Sequence, residues 1–165
     1  MTVSPREKRV YRALFLTIED VPDLEAREAV HTAEAEPGDD AWRSCRGIRA
    51  RFQVWQRVQG TDLARLVDAR WLFPSETDAR GYHASRMAAN AEGFIPAPGF
   101  RMCGGDVAAF SGRDPFGLGA EMRIYLFVLG RVCAKVFLTG VEEAPGVGLL
   151  HRAESRIEEA LLPGL

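Results

Sequence analysis

Apolar and polar residues alternate most regularly between Gly47 and Val58. Ile48, Ala50, Phe52, Val54 and Val58 are interleaved with Arg49, Arg51, Gln53, Trp55 and Arg57. A period of two predicts a strand with the first set on a core and the second toward solvent or a partner. Gln59-Gly60-Thr61-Asp62 reads as a turn, and Leu66 to Phe73 as the returning strand, ended by Pro74. Ser75, with Asp78 three residues on, caps a helix running to about Ala91. Its inner stripe is Ala79, Tyr82, His83 and Met87. Phe94 to Met102 is rich in Pro and Gly and reads as a loop, followed by a short strand over Asp106 to Phe110. Met122 to Leu129 and Val132 to Thr139 form an apolar hairpin around Gly130-Arg131. The first of these strands is apolar on both faces, which places it inside the sheet and covers it on both sides. Glu142 to Gly148 reads as a linker. A last helix carries Leu150, Ala153, Ile157 and Leu161 on one stripe, with Glu154, Glu158 and Glu159 off it.

The N-terminal quarter is ambiguous. Ser4-Pro5-Arg6-Glu7 has the form of a capping box, and Val10, Leu14 and Ile18 recur at helical spacing. The same stretch, Val10 to Ile18, also fits a first strand. A second helix is predicted from after Asp23 to about Glu36, where Pro37-Gly38 breaks it. Hairpin connections dominate the order α, α, β, β, α, β, β, β, α. The fold class is therefore α+β: one domain over residues 1–165, with a mostly antiparallel sheet of about five strands and helices packed on it. Reading Val10–Ile18 as a strand gives the alternative, a ferredoxin-like β-α-β-β-α-β core.

Composition sharpens this picture only in part. The chain has 165 residues, 47% hydrophobic and 27% charged, with a net charge of −2. It is long enough to bury a core without disulfides or metal, and it lacks the basic excess of a nucleic-acid binder. Charge is segregated along the chain: residues 19–40 hold nine acids and one Arg, and residues 41–60 hold five Arg and no acid. The longest apolar run, Ile124 to Leu129, is far short of the ~20 residues that span a bilayer. The polar N-terminus lacks the pattern of a secretory signal, and Cys45, Cys103 and Cys133 are odd in number with no CxxC spacing. Together these predict reduced thiols and a cytoplasmic location.

No motif supplies a catalytic constellation. His83 has no carboxylate or second His at helical spacing, so it reads as a core-edge histidine rather than a base. Cys103, beside Gly104-Gly105-Asp106, has the surroundings of a nucleophile on a turn, but it reads first as a small buried thiol ending a loop. No HExxH, CxxC or phosphate-loop spacing occurs, so no metal and no cofactor is expected. The candidate binding residues are Arg49, Arg51, Trp55 and Arg57, because Arg forks take carboxylates or phosphates and Trp adds a stacking surface. Pairing of those Arg residues with Glu25 or Glu28 under a covering helix explains the same pattern. Trp71, Phe73, Tyr125 and Phe127 either line an apolar pocket between helix and sheet or form plain core.

Trp71-Leu72-Phe73-Pro74-Ser75 followed by Asp78-Ala79 resembles the strand-then-helix step of small actinobacterial sensor and lipoprotein domains. These are the LpqN-like and PknH-extracellular-like modules of the Mog1/PsbP-like architecture. Gly104-Gly105-Asp106, Leu129-Gly130-Arg131-Val132 and Leu16-Thr17-Ile18-Glu19-Asp20-Val21-Pro22 are similar to other segments of that family. The resemblance implies an α/β/α or α+β sandwich that binds ligands or partners, and it carries no catalytic residues across. Domains of that family are exported and often disulfide-bonded, whereas this sequence shows neither signature. The expected function is a non-catalytic cytoplasmic binding or interaction module, with a protein or a small apolar ligand as partner. The alternative is a small enzyme or carrier acting on an apolar metabolite.

Overall fold

The computed structural model describes residues 9–10, 13–17, 19–21, 49–59, 62–102, 105–113, 120–141 and 143–162. Along Arg49–Gln59, and at a few further positions, the description is of the backbone alone. The helix expected over residues 23–36, the acidic stretch beyond Val21, Cys45, Cys103 and the Gly117–Gly119 turn lie outside the described residues.

Six antiparallel strands form one sheet among the described residues: β1 (Arg49–Gln59), β2 (Asp62–Leu72), β3 (Ile95–Met102), β4 (Gly105–Arg113), β5 (Glu121–Leu129) and β6 (Val132–Thr139). Helix α1 (Glu76–Gly93) connects β2 to β3, and α2 (Glu143–Leu161) follows β6. The sheet order is β1-β2-β6-β5-β4-β3. The last strand thus slots between β2 and β5, and α1 carries the chain from one half of the sheet to its far edge. The α+β class and the antiparallel sheet are as the pattern predicts. The ferredoxin-like alternative needs a strand over Val10–Ile18; instead Arg9, Val10 and Ala13 are helical and the chain then turns.

The sixth strand, β3, occupies the stretch expected to be a loop. Its prolines hide the strand pattern, but an edge strand tolerates a missing N–H. The register shifts between Ala97 and Phe100, so the Pro98-Gly99 pair falls in a bulge. The expected linker over Glu142–Gly148 is likewise the start of α2. Pro145 falls in the first turn, where its absent N–H is not needed. Gly146 brings the helix so close to β6 that a Cβ there would sit 2.8 Å from Leu138 Cδ1.

Both faces of the central strands are covered. On one, Leu14, Phe15, Leu16 and Val21 join Leu149, Leu150, Ala153 and Ile157 of α2 over Leu66, Phe127, Val136 and Leu138. On the other, Ala79 and Tyr82 of α1 pack on Trp71, Phe73, Leu126 and Cys133. The Tyr82 ring lies tilted 5.4 Å from Trp71 and 5.2 Å from Phe73, the tilted spacing that aromatic quadrupoles favour. The four aromatics considered as one pocket are therefore divided. Trp71 and Phe73 belong to the α1 layer, Tyr125 and Phe127 to the α2 layer.

At the start of α1, the Ser75 hydroxyl accepts from Asp78 N at 3.1 Å, as its cap pattern predicts. The buried stripe departs from expectation. Met87 is exposed, and buried Asn90 takes its place near the C-terminal end. The β5–β6 turn needs a left-handed residue, and Gly130 supplies it with φ 54°.

Candidate functional site

A cleft of about 340 Å³ opens on the α2 side of the sheet, where β3, β4 and β5 run beyond the cover of α2. Its floor follows from strand register. Ala97 of β3 pairs with Ala109 of β4, which pairs with Tyr125 of β5. The next row on the same face pairs Ser111 with Arg123. Small side chains at Ala97, Ala109 and Ser111 leave the volume empty. Pro98 at the β3 bulge and Val147 of α2 form two of its walls. Arg123 is half-buried, and exposed Glu121 stands two residues away on the same strand face. An apolar floor with a cation and a carboxylate at one end suits a small molecule with an apolar body and a polar head, and the volume lies in the usual range for such sites. Ile95, 71% exposed, pairs with Ser111 on the neighbouring strand.

The candidate residues named from sequence fall elsewhere. The β1 backbone places positions 49, 51, 55 and 57 in register with Leu72, Arg70, Leu66 and Ala64. Those β2 residues are buried. The side chains of Arg49, Arg51, Trp55 and Arg57 are not among those described.

Beside β1, the same face of β2 holds a buried ion pair that the sequence reading overlooked. Asp68 and Arg70 are both fully buried, with Arg70 Nε against Asp68 Oδ1. The contact is out of hydrogen-bond alignment, and Arg70 Nη1 and Nη2 have no hydrogen-bond partner. Asp68 Oδ2 accepts from Leu16 N at 3.3 Å. The Phe127 ring, with its centroid 5.8 Å from the guanidinium carbon, offsets part of the cost of burying the cation.

His83 is half-buried, its Nε2 3.4 Å from Leu126 O. Burial holds its pKa below the ordinary histidine value, with Arg80 acting in the same direction and the Leu126 carbonyl against it. Cys133 lies in the core, and burial pushes its thiol up to about 12, so it carries no thiolate near neutrality. Among the described residues no three His, Cys, Asp or Glu side chains gather as a metal site. No described helix is long and apolar enough to cross a membrane.

No known protein family matches the sequence, and no curated protein matches it significantly. Among solved structures, the chain is similar to the crystal structure of the extracellular domain of PknH from Mycobacterium tuberculosis. The TM-score is 0.61 at 10% sequence identity, over 97% of each chain. The two share a fold. At that identity the likeness does not extend to individual residues, but it supports the PknH-extracellular-like resemblance seen in the sequence. It also corrects the cytoplasmic assignment, because the similar structure is an extracellular domain. That assignment rested on the polar N-terminus and on three cysteines, odd in number and without CxxC spacing, and cysteine number reports poorly on compartment. A thiol as buried and as weakly acidic as Cys133 stays reduced in an oxidising medium too.

Proposed function

We propose that the chain is a binding module of the Mog1/PsbP-like, PknH-extracellular-like type, acting outside the cytoplasm and taking a small amphipathic ligand in the cleft between β3–β5 and α2. The observation that carries this reading is the cleft itself: an alanine-floored hollow beside central strands that are packed on both faces, with Arg123 and Glu121 at one end. The similarity to an extracellular domain of the same fold supports it. Binding of this kind needs no bond-making groups, in line with the absence of a catalytic motif in the sequence.

Ser111→Trp fills the cleft from a half-buried position without removing core contacts. The wild-type chain should be stabilised in a thermal-shift screen by small amphipathic acids such as octanoate or benzoate. Ser111→Trp should keep its fold by circular dichroism and lose that response. An equal response in both proteins, or none in the wild type, overturns the reading.

A protein partner at the β1 edge is the second reading. β1 is an 11-residue strand hydrogen-bonded on one side only, by β2, within the described sheet. Such an edge is a template for strand addition. Arg49, Arg51, Trp55 and Arg57 would supply its specificity. Arg49→Ala with Arg51→Ala should weaken partner capture and leave the melting temperature unchanged. Unchanged capture removes this face from consideration.

A further inference from the structure

The opposite face of the sheet carries a second polar centre, independent of the cleft. Along α1 the inward stripe begins with Ala79 and Tyr82 and then turns polar, through His83 and Arg86 to Asn90. Beneath it, in the middle of central strand β6, stands Lys135. Its Nζ donates to Asn90 Oδ1 at 2.7 Å and lies 4.7 Å from the centroid of the Phe137 ring. Arg86 packs its guanidinium over Tyr82 at 5.5 Å.

Two features of this centre are unbalanced. The first is Asn90, only 5% exposed, whose Nδ2 is buried and has no hydrogen-bond partner. Its amide cannot be turned to cure this, because Lys135 requires the oxygen on its own side. A buried N–H donor left unmet costs the full desolvation of that group. The second is charge. The groups acting electrostatically on Lys135 are Arg86 and the Cys133 thiol; no described carboxylate is among them. Burial, reinforced by Arg86, holds the amine down at about 8. A half-buried ammonium with no described carboxylate acting on it, and a spare amide donor beside it, fits a ligand that accepts hydrogen bonds and carries negative charge.

We propose that Asn90, Lys135 and Arg86 form an anion-binding site between α1 and β6 for a small oxyanion, a carboxylate or a phosphoryl group. The anion takes Asn90 Nδ2–H as a neutral donor and Lys135 as its charged one, and Arg86 contributes field. Tyr82 and Phe137 keep the wall apolar, which strengthens both contacts.

The test uses the whole chain, with inorganic phosphate and acetate as separate probes at constant ionic strength and chloride as reference. The Lys135 side-chain carbon signals report its titration by NMR. Either anion, or both, should saturate in the millimolar range and raise the Lys135 midpoint by about one pH unit or more; which one does so tells a phosphoryl from a carboxylate ligand. Asn90→Asp places a carboxylate in the site, so it should raise the midpoint without any added anion and abolish the response. Lys135→Met should abolish the anion-dependent rise in melting temperature. A Lys135 midpoint already in the ordinary lysine range without added anion overturns the proposal, since the site is then filled by the chain itself. So do equal anion responses in the wild type and both variants, or none in the wild type.

Discussion

Asp68 and Arg70 stand two apart on β2, so they share a face and are buried together. Coulomb attraction has to offset the loss of water around both, and the unmet Nη groups of Arg70 show that it does so incompletely. The pair is accordingly worth little as a unit and much when broken. Asp68→Ala leaves a bare buried cation and should destabilise the fold by about 3–5 kcal/mol. Asp68→Leu combined with Arg70→Met should recover most of that loss or exceed the wild type. Urea midpoints of the wild type, Asp68→Leu, Arg70→Met and the double variant form the cycle that checks this. Additive losses would show that the two residues are not coupled. The sequence does not reveal this pair, because the Asp68-Ala69-Arg70 spacing also fits an exposed strand face. The same blindness places Met87 in the core of α1. Hydropathy favours Met over Asn, but the stripe is set by helix geometry, and Asn90 is held inside by Lys135 on a strand 45 residues away.

Among the elements, those with an unbroken period were legible. The two long strands β1 and β2, the hairpin β5–β6 and helix α1 all stand close to where alternation and capping put them. Missed were elements that tertiary contacts rescue from poor local chemistry. β3 survives its prolines because it lies at an edge and bulges. α2 begins through Pro145 and Gly146 because close packing on Leu138 favours the glycine there. The cleft was illegible for a related reason. Ala97, Ala109 and Ser111 are unremarkable in sequence, and only the register of three strands brings their small side chains into one hollow. An element-scale tie joins the N-terminal segment to α2. Arg156 donates to Asp20 Oδ2 at 2.9 Å and to Oδ1 at 3.2 Å, and Thr17 N donates to Oδ2 at 2.7 Å. Burial by itself would raise the Asp20 pKa, but the Arg156 and Thr17 hydrogen bonds outweigh it and hold it below the ordinary value. A lowered carboxyl stabilises the fold above its unfolded-state pKa, and the contribution vanishes as pH falls through the folded value. Asp20→Asn should therefore cost about 1 kcal/mol at neutral pH, between an exposed pair and a buried charged hydrogen bond. The variant and wild-type melting curves should converge at the acid end of the titration. A constant gap at every pH would disprove the linkage.

At the scale of the whole molecule, the two polar centres are separated by the sheet. The cleft opens on the α2 side and the Lys135 centre lies under α1, so occupation of one leaves the other accessible. The fold thereby offers two sites of different character. One is a hollow lined by small residues; the other is a compact cationic spot with aromatic walls. The order of the strands has a further consequence. β6, the last strand made, is the keystone between β2 and β5. Until residues 132–139 leave the ribosome, the described strands fall into two half-sheets, 49–72 and 95–129, each with a raw inner border. Closure over so long a stretch of chain is slow by its topology. During synthesis those borders offer bare backbone to any strand that drifts near, and that is the window in which the chain is prone to stick to its neighbours.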